Sequence, residues 1–76
     1  MKKLDLHGVR HCDVRDVVDE FLSIHILQWY TGELHIITGY SDKMKELVSE
    51  VVYEYKLEVS EHQFNKGMLI IKLWII

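Results

Sequence analysis

Seventy-six residues make one small domain, close to the lower size at which a single core is self-sufficient. The hydrophobic content of 49% argues against disorder, and a net charge of −3 with neutral histidines argues against indiscriminate binding to a phosphate backbone. Cys12 is the single cysteine, so an internal disulfide is excluded and a reducing cytoplasm is the expected setting.

The chain contains no proline, and its four glycines (Gly8, Gly32, Gly39 and Gly67) stand at plausible element boundaries. Met1-Lys2-Lys3 leads directly into a strand, so no secretory leader is expected. The longest apolar run, Met68 to Ile76, is interrupted by Lys72 and too short to span a bilayer, so no membrane contact is expected. Residues 1–76 therefore read as one soluble intracellular domain.

The first element is a strand over Lys3 to His7. Alternation puts Leu4 and Leu6 on one face and Asp5 and His7 on the other, and Gly8 permits a sharp turn. A helix follows, with Asp13 as its expected N-cap and Val14, Val17, Val18, Phe21, Leu22 and Ile24 as its apolar stripe. It should run to about Tyr30 and end at a left-handed cap on Thr31-Gly32. Its second half is apolar nearly all round, as in a helix that is well buried or covered by a partner.

The second βα unit opens with Leu34 to Thr38 and closes at Gly39. Ser41 or Asp42 caps the next helix, whose apolar positions Met44, Leu47, Val48, Val51, Val52 and Tyr55 follow helical spacing. Leu57 and Val59 alternate with polar neighbours as in a strand with one wet face, and Asn65-Lys66-Gly67 signals a turn. Met68 to Ile76 is then a nearly continuous apolar strand, the pattern of a central position. The order is βαβαββ. Strands joined by helices run parallel, so the loops after His7 and Thr38 leave the sheet at one end, where open α/β sheets place their ligands.

That edge gathers Asp5, His7, Gly8, Arg10, His11, Arg15, Thr38, Gly39, Tyr40, Ser41, Lys43 and Lys45. Asp5 and His7 suffice for proton transfer or for holding a metal-bound water, although an Asp in this position also serves to cap a turn. The N–H groups at Gly39 to Asp42 open a helix and attract phosphate, Ser41 adds a hydroxyl and Tyr40 a stacking surface. In a plainer reading Ser41 and Asp42 only cap the helix and the lysines line a solvated face. His7, His11, Cys12 and His35 match no structural zinc spacing, and Cys12 reads as packing. His25 and His62 read as surface or helix-face residues with no chemistry, and Glu46, Glu50 and Glu54 as a solvated acidic stripe.

Leu4-Asp5-Leu6-His7-Gly8, a helix, then Ile36-Ile37-Thr38-Gly39 and a second helix resemble the small MutS-related (Smr) domain over essentially the whole chain. The resemblance implies a two-layer α/β (α+β) sandwich like the C-terminal domain of translation initiation factor 3. In it a four-stranded mixed sheet carries both helices on one face, and its last strand runs antiparallel to the other three. It also implies binding of nucleic acid, DNA or RNA, often with endonuclease activity, and it maps the family's aspartate and histidine onto Asp5 and His7. The chain departs from the family's threonine-glycine-any-glycine motif, reading Thr38-Gly39-Tyr40-Ser41, and the glycine-rich segment before the last strand is reduced to Asn65-Lys66-Gly67.

Three functions follow. In a nuclease, His7 acts as general acid or base, or Asp5 and His7 position Mg²⁺ or another divalent cation, while Arg10 or Arg15 holds the scissile phosphate. A non-catalytic nucleic-acid or ribosome-binding adaptor would use the same edge. A protein-interaction module would use the sheet face away from the helices, expected to be apolar, to form a homodimer or receive a partner.

Overall fold

A computed structural model describes residues 2–73. The elements are β1 (Lys2–Asp5), α1 (His11–Leu27), β2 (Gly32–Ile37), α2 (Asp42–Glu54), β3 (Val59–Glu61) and β4 (Met68–Leu73). The sheet order is β1-β2-β4-β3. β1 pairs parallel to β2, whereas β4 lies between β2 and β3 and is antiparallel to both. The chain thus forms an α+β fold of two helices and a four-stranded mixed sheet. The expected continuation of the last strand through Trp74, Ile75 and Ile76 lies outside the described residues.

One face of the sheet meets the helices. Leu34 and Ile36 of β2 and Leu69, Ile71 and Leu73 of β4 are buried there with Leu6. Val14, Val18 and Leu22 descend from α1, and Met44, Val48, Val51 and Val52 from α2. Each fully buried aliphatic chain contributes roughly 1.5–3 kcal/mol, so this cluster dominates the stability.

Among the described residues the opposite face is mixed in chemistry, and Trp74 and Ile76, on which the expectation of an apolar surface also rests, lie outside them. Met68 and Ile70 share it with Lys72, and strand register sets Lys3 beside His35, Asp5 beside Ile37, and Glu33 beside Lys72. His35 is nearly buried on this face, its Nε2 3.3 Å from Glu33 Oε1. On this face β4 contributes the apolar Met68 and Ile70, and the neighbouring strands add charge beside them.

Both helix ends differ from the sequence reading in an instructive way. α1 starts at His11 with Arg10 as N-cap, so Asp13 is a first-turn residue rather than the cap. There its N–H bonds the Arg10 carbonyl (2.9 Å) and its carboxylate sits near the positive helix end. At the other end, the Trp29 N–H bonds the Ile26 carbonyl and the Tyr30 N–H bonds the His25 carbonyl (3.0 Å). This is a Schellman closure, and Trp29, at φ +56°, occupies the left-handed position expected of Gly32. Gly32 instead opens β2.

α2 ends the same way. Lys56 takes φ +60°, its N–H bonds Tyr53, and the Leu57 N–H bonds the Val52 carbonyl (3.2 Å). Leu57 therefore completes the helix and packs on the core, and β3 begins only at Val59.

The helices are tied together by polar contacts. Tyr55 donates its hydroxyl proton to Asp19 and accepts that of Ser23 Oγ (2.7 Å). The Asp19 hydrogen bond, ahead of burial, pushes the Tyr55 phenol above its ordinary value. A raised phenol pKa adds stability that is complete below the unfolded value and lost as pH rises through the folded one.

Two predictions follow from these contacts. Tyr55→Phe should lower stability by about 1 kcal/mol near neutral pH and flatten the alkaline limb of stability against pH, read by urea denaturation. Lys56→Gly should raise stability by up to about 1 kcal/mol, because glycine adopts the left-handed position without the side-chain clash, as thermal melts would report.

Candidate functional site

The candidate site forms where β1 and β2 end side by side. Asp5 stands opposite Ile37, and the Leu6 N–H extends the ladder to the Ile37 carbonyl (3.0 Å). Leu6, 1% exposed, anchors the chain in the core as it leaves the sheet. The backbone then turns through Gly8 at φ +80°, and the Val9 N–H returns to the Leu6 carbonyl. Asp5 Oδ1 accepts the His7 N–H at 2.8 Å, an Asx-type turn that presents His7 at the exposed tip. The contact within this pair runs from carboxylate to backbone amide, not to the imidazole.

The loop after β2 is fastened to the turn before β4. The Thr38 and Gly39 N–H groups both donate to the Gly67 carbonyl (2.8 and 3.0 Å), and the Thr38 hydroxyl lies within reach of the Gly39 and Gly67 carbonyls. Thr38 is therefore buried and structural, while Gly39 turns the chain at φ +68° and Tyr40 projects with 79% of its surface exposed. Ser41 caps α2, its Oγ accepting the Met44 N–H (3.1 Å), which leaves its hydroxyl proton to donate elsewhere. The Gly67 turn is itself knit by short-range bonds. His62 Nδ1 accepts the N–H groups of Phe64 and Asn65, and Asn65 Oδ1 accepts that of Gly67.

Both helices begin at this edge. Arg10 makes no side-chain cap to α1, and the Ser41 side chain caps α2 at the Met44 amide, so the amides that precede Asp13 and Met44 in the two first turns have no partner within their helix. Two positive helix ends thus flank the loops that carry His7 and Tyr40.

The cations divide. Arg10, His11 and Lys43 are exposed at the edge. Lys45 is 3.9 Å from Glu61 at the end of β3, a partly covered pair. Arg15, one turn into α1, is engaged by Glu54, the last residue of α2, at 2.7 Å. Twelve helical steps of about 1.5 Å each put that carboxylate roughly 18 Å from the start of α2. The hydrogen bond from Arg15 holds Glu54 below the usual carboxylate range and raises Arg15 in turn. Both side chains are exposed, so salt screens the pair. Asp5, Asp13 and Asp42 also border the edge and balance the formal charges of Arg10, Lys43 and Lys45, so attraction for an anion there rests on the helix ends rather than on net charge.

Among the described residues no group of three or more His, Cys, Asp or Glu is placed to hold a metal ion. A divalent cation would have Asp5 and His7 as its protein ligands, and the Asp5 Oδ1 is already engaged by the His7 amide. Cys12 is exposed in the first turn of α1, not packed as expected. His25 reverses its expectation too. It is 8% exposed, its Nδ1 bonded to the Phe21 carbonyl (2.7 Å), between the rings of Phe21 and Tyr30.

Sequence reasoning missed Gly67 as a determinant of the site. Its signal was that of an ordinary turn glycine. In the fold, a Cβ there would lie 3.3 Å from Gly39 Cα and from Asn65 Oδ1.

Compared with family models, with curated proteins and with solved structures, the chain matches none.

Gly67→Ala should destabilise the protein by about 1–3 kcal/mol, because the Gly39 backbone is held by two hydrogen bonds and cannot yield to the added methyl. Chemical denaturation would measure the loss, and amide exchange at Thr38 and Gly39 should accelerate with it.

Proposed function

We propose that the chain is an Smr-like nucleic-acid-binding domain that acts on phosphodiesters at the edge where β1 and β2 end. The observation that carries this reading is the convergence of the His7 turn and the Thr38–Ser41 loop on adjacent strands, flanked by two helix N-termini. Arg10, His11 and Lys43 supply cationic and hydrogen-bonding contacts, exposed amides and the Ser41 hydroxyl receive a phosphate, and Tyr40 stacks on a base. His7, at the turn tip, serves as the general acid or base, the role an imidazole most often takes in proton transfer. Asp5 orients that turn through the backbone. Thr38 and Gly39 shape the loop, Lys45 steers from the rim, and Arg15 braces the helices.

A second reading is a non-catalytic adaptor for DNA, RNA or the ribosome on the same surface. It is favoured by one observation: the Asp5 carboxylate engages the His7 amide rather than the ring, so the ring lacks an orienting partner from that residue. Mg²⁺ enters only the catalytic reading, with Asp5 and His7 as its ligands. No described helix is long and apolar enough to cross a membrane, and the exposed Cys12 thiol suits the cytoplasm.

The deciding experiment is cleavage of supercoiled plasmid and labelled single-stranded RNA, with and without Mg²⁺. His7→Ala should reduce cutting by about 10²-fold or more with the fold intact. Binding, read by titration across salt concentrations, should weaken in Arg10→Glu and Lys43→Glu, with the salt slope falling by about one per lost phosphate contact. Cleavage that survives His7→Ala sinks the catalytic reading, and salt-insensitive binding sinks both.

A further inference from the structure

We propose that the free edge of β1 and the adjoining flank of α1 form a two-fold interface between two copies of this chain. The inference is independent of the nucleic-acid reading. Among the described residues β1 is an outer strand of the sheet, paired to β2 alone. Because the Leu6 N–H points to β2, alternation turns those of Lys3 and Asp5 outward. An open strand edge is a template for another strand.

Beside that edge lies an apolar groove lined by Leu4, Val17, Phe21 and Ile24, with Glu20 at its rim. Val17, Phe21 and Ile24 follow i, i+4, i+7 spacing, so they form one stripe of α1. The flank facing α2 is a different one, occupied by Arg15, Asp19 and Ser23. Ile24 is 43% exposed and Leu27 78%, so the stripe continues uncovered to the helix end.

The charges on β1 select the occupant. Antiparallel pairing about a two-fold axis at Leu4 sets Lys3 opposite Asp5 of the second copy, and Asp5 opposite its Lys3. Lys3 and Asp5 are the residues with outward backbone groups, so both such pairs become hydrogen-bonded pairs. Leu4 meets its own counterpart in the closer non-hydrogen-bonded position, on the helix-facing side of the sheet. The α1 stripes then cover one another. Asp5 Oδ2 remains for the lysine because Oδ1 holds the His7 amide. A strand of unrelated sequence would meet the same lysines without that complement.

The test is molar mass by light scattering and sedimentation across a dilution series. Wild-type protein should move from the 9.1 kDa chain toward twice that mass as concentration rises. Lys3→Glu should weaken self-association by more than about tenfold by setting like charges opposite one another, and Lys3→Glu/Asp5→Lys should restore it. Ile24→Lys, at a surface position, should dissociate the dimer with the circular dichroism unchanged. If Asp5→Lys disturbs the turn, Lys3→Glu and Ile24→Lys decide. A monomer at every concentration overturns the proposal and leaves the edge for a foreign peptide. A dimer indifferent to Lys3→Glu or to Ile24→Lys also overturns it, and would direct attention to the open sheet face.

Discussion

The pairing of β2 with β4 is the constraint on which the rest of the structure depends. Six residue pairs run antiparallel from Gly32–Leu73 to Ile37–Met68, and Leu34, Ile36, Leu69, Ile71 and Leu73 are buried through them under both helices. At about 1.5–3 kcal/mol for each fully buried chain, this outweighs the exposed ion pairs by a wide margin. The insertion of β4 between β2 and β3 also explains its composition. A strand with neighbours on both sides and helices above has little need of polar residues, and Lys72 is the one described exception, on the open face.

The same pairing builds the candidate site. Ile37 opposite Met68 brings the end of β2 to the start of β4, and the Gly67 carbonyl can then receive both Thr38 and Gly39. The loop that carries Tyr40 and Ser41 is thus held by a contact between segments nearly thirty residues apart. On its other side, β1 contributes the Asp5–His7 turn through the parallel ladder. The position of each loop follows from strand pairing, and the exposure of His7, Tyr40 and Lys43 follows from the turns that interrupt it.

Much of this was legible in the residues. The six elements follow from apolar period, and of the two caps the residues offer, Ser41 and Asp42, the helix uses Ser41. Boundaries were less legible. Gly32 reads as the natural end of the first helix, yet Trp29 takes the left-handed position because Tyr30 and His25 close the helix there. His25 reads as a surface or helix-face residue, and it is buried because the helix end folds the Tyr30 ring back onto it. Neither event has a local signature, since each depends on where the chain goes next.

The sequence by itself determined the periodic elements, the buried stripe of each helix, the central nature of the last strand and the turn at Gly8, while the first strand, expected through His7, ends at Asp5. Those are set by alternation, helical spacing and glycine placement within a few residues. Tertiary structure decided which cations remain at the edge, withdrawing Arg15 to Glu54 and Lys45 toward Glu61. It also decided which face of β4 is open and fixed the approach of Gly67 to Gly39. Such facts arise from packing between distant segments, whose distances the order of residues along the chain does not encode locally.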